Sequence, residues 1–279
     1  MSPSSRVTAV VPTLGRSPWL IPCLEALRRE GVEIVVVDQS EEPLPVAERV
    51  IRPGRNLGFA AATNLGIAES SREYVATVND DAVVEPGWTA KLVEALDRHP
   101  KAAAAQGVNV SPDGLVDGCG IEWNRWGQAV QAGHGEPAPP LSEPREVWGV
   151  SATAAVYRRE ALVPLGDSPF DPRLVSYYED VDLAGRLRAA GWSALLVPAA
   201  RARHAGSATG GTMSRERWRL IYGNRWLVAR GQPFWRMAVR DLVDLGRALG
   251  SGDLSRAAGI PAGWARALRL RRAFRRAVR

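Results

Sequence analysis

The chain of 279 residues has little sulfur: two cysteines, Cys23 and Cys119, and three methionines. Without a C-x-x-C spacing, neither a disulfide scaffold nor a zinc module organises it, and a reducing compartment suits it. No apolar run approaches the roughly eighteen residues of a membrane span. Met1 to Arg16 lacks the charged start and long apolar core of a signal peptide, so a cytoplasmic chain is expected. G-x-G-x-x-G, the Walker lysine motif and G-x-S-x-G are all missing, which removes the main support for dehydrogenase, P-loop and α/β-hydrolase readings. There is no internal repeat and no long low-complexity tract. What remains is a globular composition, 46% hydrophobic and 24% charged. Its size suits one large α/β domain with an appended tail, burying about three quarters of its unfolded surface.

The net charge of +6 is local. Seven arginines and no acid lie between Trp264 and Arg279, and without them the chain has 29 basic and 30 acidic residues. Trp264, Leu268, Phe274 and Val278 interleave with those arginines at helical spacing. A basic amphipathic helix at 264–279 is therefore expected, with an anionic membrane surface as its partner. The plain alternative is a solvated helix end. Two aromatics and no recognised nucleic-acid motif leave nucleic acid unexpected as a partner.

Short β-branched runs alternate with helical stretches in the first half. Val7 to Val11, Glu33 to Val37, a short run near Ile51 and Tyr74 to Val78 read as strands. Leu20 to Arg29, Asn64 to Ala68 and Trp88 to Arg98 read as helices. This is the rhythm of β-α-β units around a largely parallel sheet. Residues 107–144 read as loops with a hairpin. Strands are expected at Val147 to Tyr157 and at Trp192 to Val197, the latter ended by Pro198. Helices follow at Asp180 to Ala190, Ser214 to Arg230 and Phe234 to Leu249, with a linker at 250–263.

In an open α/β sheet ligands bind beyond the carboxyl ends of the strands, so acids there carry weight. Asp38 closes one strand and Asn79-Asp80-Asp81 closes another. The second group supplies hard oxygen ligands suited to Mg²⁺ or Mn²⁺, although Asn and Asp also simply favour turns. Ser176 to Asp182 forms a further acidic cluster. It reads either as a capping box of Ser176 with Glu179 plus an Asp182–Arg186 pair, or as a general base at the same crevice. His204 is a lone histidine after a strand; His99 and His134 read as surface residues.

Taken in order, these clusters resemble the inverting family 2 glycosyltransferases of GT-A fold, closest to the bacterial rhamnosyltransferase-like branch. Val7 to Thr13 resembles that family's first strand and nucleotide-contacting turn, and Val35 to Ser40 its second strand. Arg55-Asn56-Leu57-Gly58-Phe59-Ala60, continuing to Asn64-Leu65-Gly66, is similar to the branch's N-x-G-F-A…N-x-G segment. Asn79-Asp80-Asp81 stands where the family has its D-x-D-type motif, with Asn in the leading place. Tyr178-Glu179-Asp180-Val181-Asp182-Leu183, then Arg186-Leu187-Arg188 and Gly191-Trp192, resembles the E-D-x-D-L…R-L-R…G-W block. The resemblance covers roughly residues 6 to 230.

The resemblance implies an α/β GT-A domain at 1–230, with a nucleotide-sugar part to about 105 and an acceptor part beyond. A helix and linker at 231–263 and the tail at 264–279 would follow. It implies a metal-dependent inverting transfer from a nucleoside-diphosphate sugar to an acceptor hydroxyl. By the same resemblance Asp180 is the catalytic base, and Asp81 and His204 hold Mg²⁺ or Mn²⁺. Pro12, Thr13, Arg16, Asp38, Asn56, Gly58, Asn64, Asn79 and Asp80 bind the donor, and Trp148, Glu179 and Asp182 lie on the acceptor side. L-Rhamnose from a dTDP donor is the expected sugar, on account of the Asn56 to Gly66 segment. A saccharide on polyprenyl diphosphate is the expected acceptor, in cell-envelope polysaccharide synthesis at the inner face of the cytoplasmic membrane. The Trp-rich C-terminal helices are a candidate homo-oligomer contact. Two alternatives stay open: a sugar-nucleotidyltransferase, disfavoured by the glycine-poor Pro12 to Arg16, and an inactive scaffold of the same fold at the membrane.

Overall fold

The computed structural model describes residues 2–206, 213–229 and 231–276, with backbone alone at 272, 273, 275 and 276. The strands are β1 (Val7–Thr13), β2 (Glu33–Asp38), β3 (Arg49–Ile51), β4 (Tyr74–Val78), β5 (Ala82–Val84), β6 (Ala102–Val110), β7 (Val116–Gly118), β8 (Ile121–Trp123), β9 (Ala129–Gln131), β10 (Arg145–Val147), β11 (Ala154–Arg158) and β12 (Ser193–His204). The helices are α1 (Leu20–Glu30), α2 (Phe59–Ala68), α3 (Trp88–Arg98), α4 (Arg159–Leu162), α5 (Glu179–Ala189), α6 (Arg215–Val228), α7 (Phe234–Gly250) and α8 (Leu254–Arg276). They fall into two compact units. One comprises Met1–Glu122, Gln131–Arg173 and Asp180–Thr209, the other Trp123–Val130, Leu174–Glu179 and Gly210–Arg279. α6 belongs to the second unit.

The first unit holds one mixed sheet in the order β10-β12-β6-β11-β4-β1-β2-β3, with β5 on β12 and β7 on β6. β3, β2, β1 and β4 are mutually parallel, and β11 enters antiparallel between β4 and β6. β1 is buried on both faces, as a parallel strand covered by helices must be. Val7, Ala9 and Val11 pack with α1 and α3 on one face, and Val10 packs with α2 and α5 on the other. α2 lies close on the sheet because Gly66 faces Val10. A Cβ there would come within 2.2 Å of Val10 Cγ1.

Four expectations change. The first strand continues through Pro12 to Thr13. Ala102–Val110 is a central strand whose run of alanines, poor strand formers by composition, hides it in the sequence. The single strand expected at 147–157 is two, because 148–153 leaves the sheet as a loop. β12 runs past Pro198 to His204, with a register shift between Leu196 and Arg201 that accommodates the proline.

The second unit has a polar interior. The Arg225 guanidinium pairs with Asp241, whose carboxylate also accepts from Trp226 Nε1 at 2.8 Å and Trp264 Nε1 at 2.7 Å. Tyr222 OH donates to Asp244 at 3.1 Å. The linker expected at 250–263 is largely α8, which begins at Leu254 and contains Pro261. The basic tail is the end of that helix; Ala267, Phe274 and Arg266 are buried, while Leu268 is exposed. Val278 and Arg279 of the expected tail, and Arg230 of the expected α6, lie outside the described residues. No helix among the described residues is long and apolar enough to cross a membrane.

Gly66→Ala should overpack the α2–β1 contact and cost about 1–3 kcal/mol, lowering the melting temperature by several degrees. An unchanged thermal melt would show that the close approach at Val10 is not what requires glycine.

Candidate active site

The parallel register pairs Thr13 with Asp38 at the carboxyl ends of β1 and β2, and β4 beside them leads into Asn79-Asp80-Asp81. Thr13 joins the first and third of these ends. Its hydroxyl donates to Asp80 Oδ2 at 2.5 Å and accepts from Gly15 N–H at 2.9 Å. Burial and the neighbouring Asp81 push the Asp80 carboxyl above the usual carboxylate range, against the Thr13 hydrogen bond. Pro12 is buried in the strand, and Arg16 stands exposed on the loop after it.

Asp38 is enclosed by its own surroundings. Its carboxylate accepts from the Ser40 hydroxyl, from Ser40 N–H at 2.9 Å and from Leu44 N–H at 3.2 Å, and it pairs with Arg52 at 3.0 Å. Burial opposes the charge, yet the Ser40 and Leu44 hydrogen bonds and Arg52 hold the carboxyl below its ordinary value. The side chain has no exposed surface, so as folded it holds the 40–44 loop in place.

The Asn56 to Gly66 segment is built for architecture. Asn56 Oδ1 accepts from Gly58 N–H at 2.8 Å, closing the turn into α2. Asn64 is buried and its amide clamps the Phe170 backbone, donating to the carbonyl at 2.7 Å and accepting from the N–H at 3.0 Å. The structure therefore places Asn64 in the interior.

Asp81 meets His204 where β5 pairs antiparallel with the end of β12. Asp81 Oδ1 lies 3.1 Å from His204 Nε2. His204 Nδ1 lies 2.8 Å from Asp117 Oδ2, and Asp117 sits on β7. Burial opposes the imidazolium, but the hydrogen bonds and charges of Asp117 and Asp81 outweigh it and push its pKa up to about 9. Among the described residues no three His, Cys, Asp or Glu side chains converge as a metal cluster. Asp81 and His204 still fit a divalent ion as a pair. One carboxylate oxygen and one imidazole nitrogen suit Mn²⁺ in kind, and their 3.1 Å separation matches adjacent ligands, about 3 Å apart at about 2.1 Å from an ion. Asp117 holds the other ring nitrogen, the arrangement that orients a metal-binding histidine. Sequence reading missed Asp117, which lies in a Gly-rich stretch with no strand signal.

Asp180 sits in the first turn of α5, half-buried. Val181 N–H donates to Oδ1 at 2.8 Å and Ala152 N–H to Oδ2 at 3.4 Å, and the Ser151 side chain also bonds to it. Burial pushes its carboxyl up in spite of these donors. Gly149 lets α5 approach this loop, since a Cβ there would come within 2.5 Å of Ala184 Cβ. The loop is anchored twice, by Ser151 N–H on Gln106 Oε1 at 2.6 Å and by Asn79 N–H on the Thr153 carbonyl at 2.8 Å. A small cleft beside Asp180 is lined by Trp148, Tyr157, Leu187, Arg188 and Trp192.

α5 begins at Glu179, after left-handed φ values at Val175, Tyr177 and Tyr178, so the capping box expected from Ser176 does not form. Instead Asn224 Nδ2 donates to the carbonyls of Leu174, Ser176 and Tyr177 at 2.7–2.9 Å, holding this unusual backbone. Glu179 is buried, and Asp182 is buried and paired with Arg186 at 2.8 Å, which makes Asp182 a brace for α5. His99 binds the Ala95 carbonyl on its own helix, and His134 binds the Asp117 carbonyl.

The description "Glycosyl transferase family 2" matches residues 8–165, more than half of the chain. The chain belongs to glycosyl transferase family 2. The matched stretch contains Asp38, Asn79 to Asp81 and the 149–153 loop and ends before Asp180 and His204. An N-acetylglucosaminyl-diphospho-decaprenol L-rhamnosyltransferase of Mycobacterium tuberculosis is 31% identical over 185 residues, 56% of this chain. The chain spans 58% of that relative's length. An uncharacterized M. tuberculosis protein is 28% identical over 76% of this chain and 78% of its own. Among solved structures, GalNAc-T7 with UDP, GalNAc and Mn²⁺ superposes with a TM-score of 0.60 at 16% identity, over 80% of this chain and 47% of its own. S. aureus TarS 1–349 does so with 0.54 at 16% identity, over 86% and 68%. These likenesses identify the fold as GT-A, with its mostly parallel sheet and flanking helices.

Asp117→Asn in this family 2 glycosyltransferase should weaken Mn²⁺ binding by about 10–100-fold while the fold holds. Calorimetric titration of Mn²⁺ in the presence of a nucleoside diphosphate measures it, and wild-type affinity in the variant would remove Asp117 from the account.

Proposed function

We propose that this chain transfers a sugar from a nucleoside diphosphate to an acceptor hydroxyl with inversion, Asp180 serving as the base. The observation that carries this reading is the setting of Asp180. Its carboxylate is half-buried, pushed up by burial, and held by neutral donors in a loop tied to Asn79. A carboxylate of raised pKa is a stronger base, and its fixed orientation leaves it ready to take the hydroxyl proton. Thr13 and Arg16 hold the nucleotide and Asp80 contacts its ribose or the metal, while Asn56 and Gly58 shape the turn beside it. Asp81 and His204 hold Mg²⁺ or Mn²⁺. When bound, the ion neutralises charge on the departing nucleoside diphosphate. Trp148 lies on the acceptor side.

For the finer specificity we propose L-rhamnose from a dTDP donor and a polyprenyl-diphosphate-linked saccharide as acceptor. The name of the M. tuberculosis relative supports this, since that protein is a decaprenol-linked L-rhamnosyltransferase. Such an acceptor would keep the enzyme at the inner face of the cytoplasmic membrane, working in cell-envelope polysaccharide synthesis.

Asp180→Asn should lower turnover by about 10²–10⁴-fold while donor binding, followed by thermal shift with dTDP-, UDP- and GDP-sugars, is kept. Near-normal turnover would end the assignment. In the wild type kcat/KM should fall as pH drops through a pKa above the ordinary aspartate value of about 3.9, because the base works only when deprotonated. Asp180→Asn should abolish that acid limb.

A further inference from the structure

α7 is turned inside out. Its only two acids, Asp241 and Asp244, face inward with Met237 and Ala248 and are buried. Asp241 is neutralised by Arg225, and Asp244 by Arg240 at 3.1 Å and Arg256 at 3.3 Å. The outward face is apolar: Trp235 is 55%, Leu242 58% and Leu249 62% exposed, with Phe234, Val239 and Val243 beside them. Arg236 and Arg247, both exposed, lie along one flank of this stripe. A groove of about 920 Å³ continues the apolar surface, lined by Phe234 and Leu242 of α7, Trp226 of α6, and Trp264, Leu268 and Arg271 of α8.

An exposed apolar stripe of this extent calls for a partner. A second copy of the chain fits poorly. Packing two such stripes together would bring their flanking arginines close, and α7 has no outward acid to meet them. An anionic bilayer supplies both requirements, hydrocarbon for the stripe and negative headgroups for its arginine flank.

We propose that the outward face of α7, with the groove beside it, is the surface by which this chain docks on an anionic lipid bilayer. The helix lies in the plane of the interface, with Trp235, Val239, Leu242 and Leu249 among the acyl chains and Arg236 and Arg247 at headgroup level. The inference deepens the reading of a lipid-linked acceptor and rests on it only for its purpose. It extends the membrane contact expected of the 264–279 tail, whose Leu268 and Arg271 line the groove, to α7.

Vesicle co-sedimentation of the full chain, without donor or acceptor, tests it. Binding is expected to vesicles of phosphatidylcholine with phosphatidylglycerol, and weaker binding to phosphatidylcholine alone. The double variant W235S/L242S, altered only at exposed positions, should keep its melting temperature and bind at least about tenfold more weakly. Brominated lipid should quench the wild-type tryptophan fluorescence, and W235F should remove part of that quenching. Equal binding of the double variant, or equal quenching in W235F, overturns the proposal. So does a vesicle-free dimer that the double variant dissociates, which would assign the face to a second copy. Separate turnover of a detergent-dissolved polyprenyl-diphosphate saccharide distinguishes the two readings: transfer there without vesicle binding means that the docking face alone has failed.

Discussion

The hydrogen bond from Asn79 N–H to the Thr153 carbonyl joins the two acidic centres of the first unit. It follows from topology. β11 returns antiparallel beside β4, with Ala154 opposite Val78, so the loop before β11 must lie beside the residues after β4. That loop receives α5, and Ala152 N–H meets the Asp180 carboxylate. Asp81 and Asp180 are thus positioned through backbone groups, whatever side chains line the cleft. A leading Asn at position 79 does no harm to this function, because its main chain carries the link.

Buried acids need donors, and the kind of donor separates their roles. Asp38 has Arg52, Asp182 has Arg186 and Asp241 has Arg225. Each is a settled ion pair that fixes a loop or a helix. Asp180, by contrast, is held by the Val181 and Ala152 N–H groups and by Ser151, and burial pushes its carboxyl up. His204 is a further case: two carboxylates grip one ring, with Nδ1 fixed on Asp117 and Nε2 directed at Asp81. Asp117, by holding Nδ1, leaves Nε2 on the Asp81 side as the nitrogen an ion would take.

Much of the first half was legible because its strands are β-branched runs closed by acids or turns. Asp38, Asp80 and Asp81 stand at strand ends as their positions imply. The second half was harder. Ala102–Val110 has no strand composition, and Pro198 looks like a stop although a register shift absorbs it. Motif matching found Asn56 to Gly66 and assigned it to the nucleotide. In the structure its residues close the turn before α2, clamp Phe170 and admit Val10, since a motif records what a fold requires as readily as what a ligand requires. Asp117 and Asn224 were invisible, because each acts through a contact distant in sequence: Asp117 on His204, Asn224 on the carbonyls of 174–177.

Helical periodicity shows that a stripe exists but not which way it faces. In α7 the apolar stripe and the acidic positions are both clear in the sequence, and the ordinary assumption turns the apolar side inward. The interior of the second unit reverses this choice because Arg225, Trp226, Trp264, Tyr222 and Arg256 supply donors there, and Asp241 and Asp244 accept from them. Once Asp241 and Asp244 occupy that interior, the geometry of a single helix forces Trp235, Leu242 and Leu249 outward. The exposed stripe is therefore a consequence of the buried polar network. Replacing Asp241 by a hydrophobe would leave the Arg225 guanidinium and two indole N–H groups without their acceptor, so the orientation of α7 is kept by the cost of orphaning those donors.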